Sequence, residues 1–100
     1  MKLVECARIV RSKNAGPTQL TIDILFDEAA DFEQAKASPN LSASRIATLY
    51  GLDAGQVRII PYPPARAIKI VMDRKIIAGT PGDRDVYGAQ QHGPLLDLDI

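Results

Sequence analysis

Two stretches of this chain gather polar side chains that a hydrophobic core does not require. One comprises Asp83, Asp85, Tyr87, Gln90, Gln91 and His92. It sits in segment 79–94, which holds four of the seven glycines, two of the seven prolines and the only histidine. The other is Arg11, Ser12, Lys13 and Asn14, followed by Gly16. Arg and Lys suit carboxylate or phosphate, and glycine lets backbone approach a ligand closely. These groups are the candidate ligand-binding set, and an anionic metabolite held by Arg11, Lys13 and His92 is the chemistry they fit.

Spacing limits what else they can do. A phosphate-binding P-loop needs two glycines around a Lys-Ser/Thr pair, which 11–16 lacks. One histidine, no cysteine beside it and two aspartates separated by a single residue make no metal set. No metal and no cofactor are therefore expected. Ser12 and His92 form a nucleophile–base pair only if folding joins them, and no acid is assigned to orient the imidazole. His92 is left as a weak candidate for catalysis. A plainer reading stands beside each cluster. Asn14 and Gly16 serve a turn, Asp83 or Asp85 caps a helix, and Tyr87 is a half-buried anchor.

The elements that must position these groups follow from periodicity. Leu3 to Val10 reads as a short strand or extended lead-in, and 11–17 as a polar turn carrying two cations. From Gln19 to Phe26, Leu20, Ile22, Ile24 and Phe26 alternate with Gln19, Thr21 and Asp23, which predicts a strand with one buried face. Asp27 is placed to cap the next helix, which has Glu28 and Asp31 in its first turn and Phe32 and Ala35 as a thin apolar stripe. Pro39 and Asn40 stop it. Ser42 caps a second helix with Ile46, Leu49 and Tyr50 on one face, closed by Gly51 and Leu52.

Val57 to Tyr62 predicts another strand. Pro61, Pro63 and Pro64 imply an edge strand or a crossing, with a stiff extended connection. Ala65 to Arg74 predicts a strand whose core face is Ile68, Ile70 and Met72, with Lys69 and Val71 opposite. Arg58, Arg66, Lys69, Arg74 and Lys75 make this half basic: a charged strand edge guarded against other sheets, or a surface for an anion or acidic partner. After the turn at 79–82, a helix runs towards His92. The tail, where Leu96, Leu98 and Ile100 alternate with Asp97 and Asp99, fits either a strand or a last helical turn. The expected fold class is α+β, a two-layer sandwich with an antiparallel-rich sheet and helices on one face, ferredoxin-like in arrangement.

One hundred residues, 46% hydrophobic and 24% charged, predict a single globular domain over 1–100. Such a chain has little room for a deep private cavity. Twelve basic and twelve acidic residues cancel, which argues against a general nucleic-acid or membrane binder and favours association. Five aromatics without tryptophan leave little for base stacking. Cys6 has no second cysteine to pair with and reads as a buried thiol. With no signal-peptide pattern and no apolar run of membrane-spanning length, the expected location is the cytoplasm.

The motif residues also resemble a known family. Arg11-Ser12-Lys13-Asn14-Ala15-Gly16-Pro17, then Gly82-Asp83, Asp85-Val86-Tyr87-Gly88-Ala89-Gln90-Gln91-His92, and Pro94-Leu95-Leu96-Asp97-Leu98 ahead of Asp99 and Ile100, resemble the family catalogued as domain of unknown function 4387. The resemblance covers essentially the whole chain. A more distant similarity is to the C-terminal domain of AtuA-type (acyclic terpene utilisation) proteins. Arg11, Ser12 and Gly16 match an Arg-Ser-Gly-Asp-Lys-Gly motif there, while Lys13, Asn14 and Ala15 depart from it. Gly88, Leu95, Leu96, Asp99 and Ile100 echo that family's ending, with Ala89 in place of its lysine. These resemblances imply a ferredoxin-like domain acting as a small accessory subunit beside an AtuA-like large chain, in breakdown of acyl-CoA or organic acids. Alternatives are a stand-alone small enzyme or ligand-binding module for an anionic metabolite, and a purely structural homo-oligomer.

Overall fold

A computed structural model of the chain describes residues 2–16, 18–73, 95 and 98–100. The elements are α1 (Leu3–Cys6), β1 (Ile9–Gly16), β2 (Gln19–Leu25), α2 (Ala29–Ala37), α3 (Ala43–Tyr50), β3 (Val57–Tyr62) and β4 (Ala67–Asp73). The four strands form one antiparallel sheet in the order β1-β2-β4-β3. The fold class is α+β. β2 and β3 run the same way and are joined through α2 and α3, with β4 inserted between them. This split β-α-β unit is compatible with a ferredoxin-like arrangement.

Strand β2 forms because apolar Leu20, Ile22 and Ile24 alternate with polar residues, and β4 repeats the pattern in register: Leu20 faces Met72, Ile22 faces Ile70 and Ile24 faces Ile68. Phe32 and Ala35 of α2, Ile46 and Ala47 of α3, and Leu3 of α1 pack against these six in one buried cluster. Shared membership of that cluster puts the helices on one face of the sheet. Phe26 and Phe32 close the cluster edge-to-face, with ring centroids 6.3 Å apart.

Several local expectations change. Leu3 to Cys6 is a helical turn rather than an extended lead-in, because Leu3, Cys6, Ala7 and Val10 recur at helical spacing and all pack on the core. The Glu5 carboxylate accepts from the Lys2 backbone N–H at 2.8 Å and closes the turn. Segment 11–16 is strand, not turn. Its backbone is satisfied by the ladder to β2, which outweighs the turn preference of Asn14 and Gly16. The pairing is irregular only between Asn14 and Gly16, and the chain reverses between Gly16 and Gln19.

Asp27 does not cap α2. Glu28 holds the N-cap position without a side-chain bond, while the Asp27 carboxylate takes Arg8 at 3.0 Å and its carbonyl accepts from the Arg66 guanidinium. Ser42 does cap α3, accepting from the Arg45 N–H at 3.4 Å, and Gly51 closes it in the left-handed region at φ 68°. The buried stripe of α3 is Ile46 and Ala47 with Tyr50 half-buried; Leu49 points outward. Beyond β3, an edge strand as its proline implies, Pro63–Ala65 is a short 3-10 turn rather than an extended link. Proline's fixed φ suits that first turn, and Arg66 then takes φ 48° to start β4.

The described tail residues join the N-terminal turn. Asp99 bridges Lys2, and the Leu3 N–H donates to the Leu98 carbonyl at 2.8 Å. The side-chain amides of Asn40 and Gln34 donate to the carbonyls of Asp99 (3.0 Å) and Ile100 (3.2 Å).

Candidate functional site

Alternation along β1 divides the first polar cluster between the two faces of the sheet. Ser12 pairs with Ile22 and Asn14 with Leu20, so both share the parity of the core face, and Ser12 is only 6% exposed. Arg11 pairs with Asp23 and Lys13 with Thr21, which lie on the opposite face, the one left open by the helices among the described residues. The structure therefore keeps Arg11 and Lys13 together and sets Ser12 and Asn14 behind them, with Gly16 at the end of the strand. Asp83, Asp85, Tyr87, Gln90, Gln91 and His92 lie outside the described residues, as do Arg74 and Lys75.

The registers lay the open face out in rows across β1, β2, β4 and β3. One row reads Lys13, Thr21, Val71, Arg58; the next reads Arg11, Asp23, Lys69, Ile60; a third reads Ile9, Leu25, Ala67, Tyr62. Neighbouring strands stand about 4.8 Å apart, so each row spans roughly 14 Å of backbone. The Asp23 carboxylate is largely buried between two cations and meets the Arg11 guanidinium at 3.8 Å. Lys13, Arg58 and Lys69 have no carboxylate partner within ion-pair distance among the described residues. Tyr62 is 59% exposed and Ile60 44% exposed. One end of the face is thus cationic and the other apolar.

Thr21 and Val71 sit at the centre of the cationic end. They are buried on a face that no helix among the described residues covers. The Thr21 hydroxyl donates to the Lys13 carbonyl at 3.4 Å, tying β1 to β2 at that row. At the edge of the face a recess of about 100 Å³ opens among Gln19, Gly55, Gln56, Arg58, Val71, Met72 and Asp73. Gln56 is fixed at both ends of its amide. Its oxygen accepts from the Asp53 N–H at 2.9 Å, and its nitrogen donates to the Asp73 carboxylate at 3.3 Å.

The remaining candidates for chemistry are quiet. Burial pushes the Cys6 thiol above its ordinary pKa, helped by the negative charge of Asp31, and its Sγ faces the carbonyls of Lys2 and Leu3. A thiol held protonated is a poor nucleophile. Among the described residues, no group of three His, Cys, Asp or Glu side chains is placed to hold a metal. No helix among them is long and apolar enough to cross a membrane.

Sequence periodicity already placed Lys69 and Val71 opposite the core. It missed that Arg11, Lys13 and Arg58 share that face, since this depends on pairing register between distant strands. The signal available was Arg11 and Lys13 standing two residues apart, the spacing of one strand face. A family model described as domain of unknown function (DUF4387) matches residues 3–99. No curated protein and no solved structure matches the chain.

Proposed function

Because the chain belongs to the DUF4387 family of domains of unknown function, which carries no assigned activity, we propose from the geometry that it works as a binding subunit rather than a complete enzyme. The observation that carries this reading is the open sheet face, where Ile60 and Tyr62 lie exposed beside Arg11, Lys13, Arg58 and Lys69. An apolar patch rimmed by charge is the common form of a protein interaction surface. The partner proposed is an AtuA-like large chain, on the likeness of Arg11, Ser12, Gly16 and the C-terminal residues to the AtuA C-terminal domain. A cytoplasmic role in acyl-CoA or organic-acid catabolism goes with that partner. Like-charged open faces repel, which disfavours a second copy docking face to face.

Co-purification from the native host tests the proposal. An AtuA-like chain is expected to be retained by the wild type and lost with Tyr62→Ala or Lys69→Glu. Recovery of a free homo-oligomer alone at every concentration would count decisively against it. A second reading, a stand-alone module for an anionic metabolite, draws on Lys13, Arg58 and Lys69 lacking carboxylate partners among the described residues. Thermal shift against acyl-CoAs and carboxylic acids tests it, and no stabilisation by any anion removes it.

A further inference from the structure

Arg58 and Asp73 line the same recess of about 100 Å³, yet they do not meet within ion-pair distance. Arg58 pairs with Val71, and Asp73 is two residues farther along β4, so the two occupy a diagonal of the open face. Cα atoms on such a diagonal are about 7–8 Å apart, close enough for both side chains to reach one small molecule. The carboxylate is already engaged by a neutral donor. Gln56 holds it at 3.3 Å and is itself held by the Asp53 N–H. Opposite charges are thus presented to one recess with a gap left between them.

We propose that this recess binds the head of a small carboxylic acid that also carries a hydrogen-bond donor, an amino acid or a hydroxy acid. The Arg58 guanidinium takes the carboxylate through its paired N–H donors. The Asp73 carboxylate, an acceptor only, takes the ammonium or hydroxyl. Gln19 lies across the sheet from Asp73 and offers an amide to either group. The volume is below that of a pocket for a whole drug-sized ligand, so the recess takes a head group and leaves any tail outside. This assigns a ligand class to the second functional reading and does not depend on the docking of a large chain.

The experiment is a titration of the isotopically labelled full chain, followed by its backbone amide resonances. Acetate is the carboxylate-only probe, glycine and β-alanine the zwitterions, and glycolate the hydroxy acid. Saturable shifts at Gln19, Gly55, Arg58 and Asp73 are expected with a zwitterion or with glycolate, at about tenfold higher affinity than with acetate. Arg58→Gln is expected to abolish the response, and Asp73→Asn to bring the favoured probe down to the level of acetate. The exposed position of Arg58 lets the variant fold, and its amide spectrum verifies that. Equal affinity for all four probes, no saturable shift at these residues, or an unchanged response in Arg58→Gln overturns the proposal. Shifts by phosphate or acyl-CoA elsewhere on the face, with the recess silent, also overturn it while leaving the general anion-binding reading standing.

Discussion

Ile70 and Lys69 are neighbours on β4, and the face assignment predicts opposite fates for them. Ile70 is fully buried, paired with Ile22 on one side and Ile59 on the other. Ile70→Ala removes three buried carbons, worth about 2.4 kcal/mol at roughly 0.8 kcal/mol each. The pairing partners on both sides are held by their own ladders, so the void closes only in part and the total rises to about 3–4 kcal/mol. Lys69 is exposed on the other face, and Lys69→Ala stays within about 0.5 kcal/mol. Urea unfolding followed by circular dichroism separates the two. At a typical slope of about 1–3 kcal/mol per molar, the Ile70→Ala midpoint falls by at least ~1 M while that of Lys69→Ala hardly moves. A cost below about 1 kcal/mol for Ile70→Ala, or equal costs for both, refutes the β4 register. The open-face site would go with it, since Arg58, Lys69 and Asp73 are placed by that register.

Three further outcomes follow from local geometry. Gly51 closes α3 at φ 68°, so Gly51→Ala should cost about 1 kcal/mol in thermal unfolding, and a neutral result would contradict the cap. Burial holds the Tyr50 phenol above its ordinary pKa of 10.0, so the folded state keeps a proton that the unfolded chain gives up first. Its contribution is whole below pH 10.0 and is lost as pH rises beyond it; stability should fall more steeply there in the wild type than in Tyr50→Phe, and matching slopes would disprove the assignment. Asn40→Ala removes a bond to the Asp99 carbonyl and one from Arg45, and should raise amide exchange at Leu98 to Ile100 with about 1 kcal/mol lost. Unchanged exchange would mean that the Leu3–Leu98 and Gln34–Ile100 bonds, with the packing of Leu95 and Leu98, hold the tail without Asn40.

Much of this architecture was legible in the order of residues. Strict alternation marked β2 and the core face of β4, because a strand with one buried face must repeat every two residues. Ser42, Gly51 and the prolines after β3 announced helix ends and an edge strand through backbone preferences that operate locally. The α+β class followed from those pieces. Only tertiary pairing decided that 11–16 is a strand. Its Asn, Gly and Lys favour a turn in isolation, and the ladder to β2 reverses that preference. The same pairing separated Arg11 and Lys13 from Ser12 and Asn14, although the four are contiguous in sequence. It also brought Arg58 and Asp73 to one recess across fifteen positions, with Gln56, just before β3, bonded to Asp73. Local propensity acts over a few residues, whereas a site on a sheet face is set by register between strands, and register becomes definite only when one face is buried.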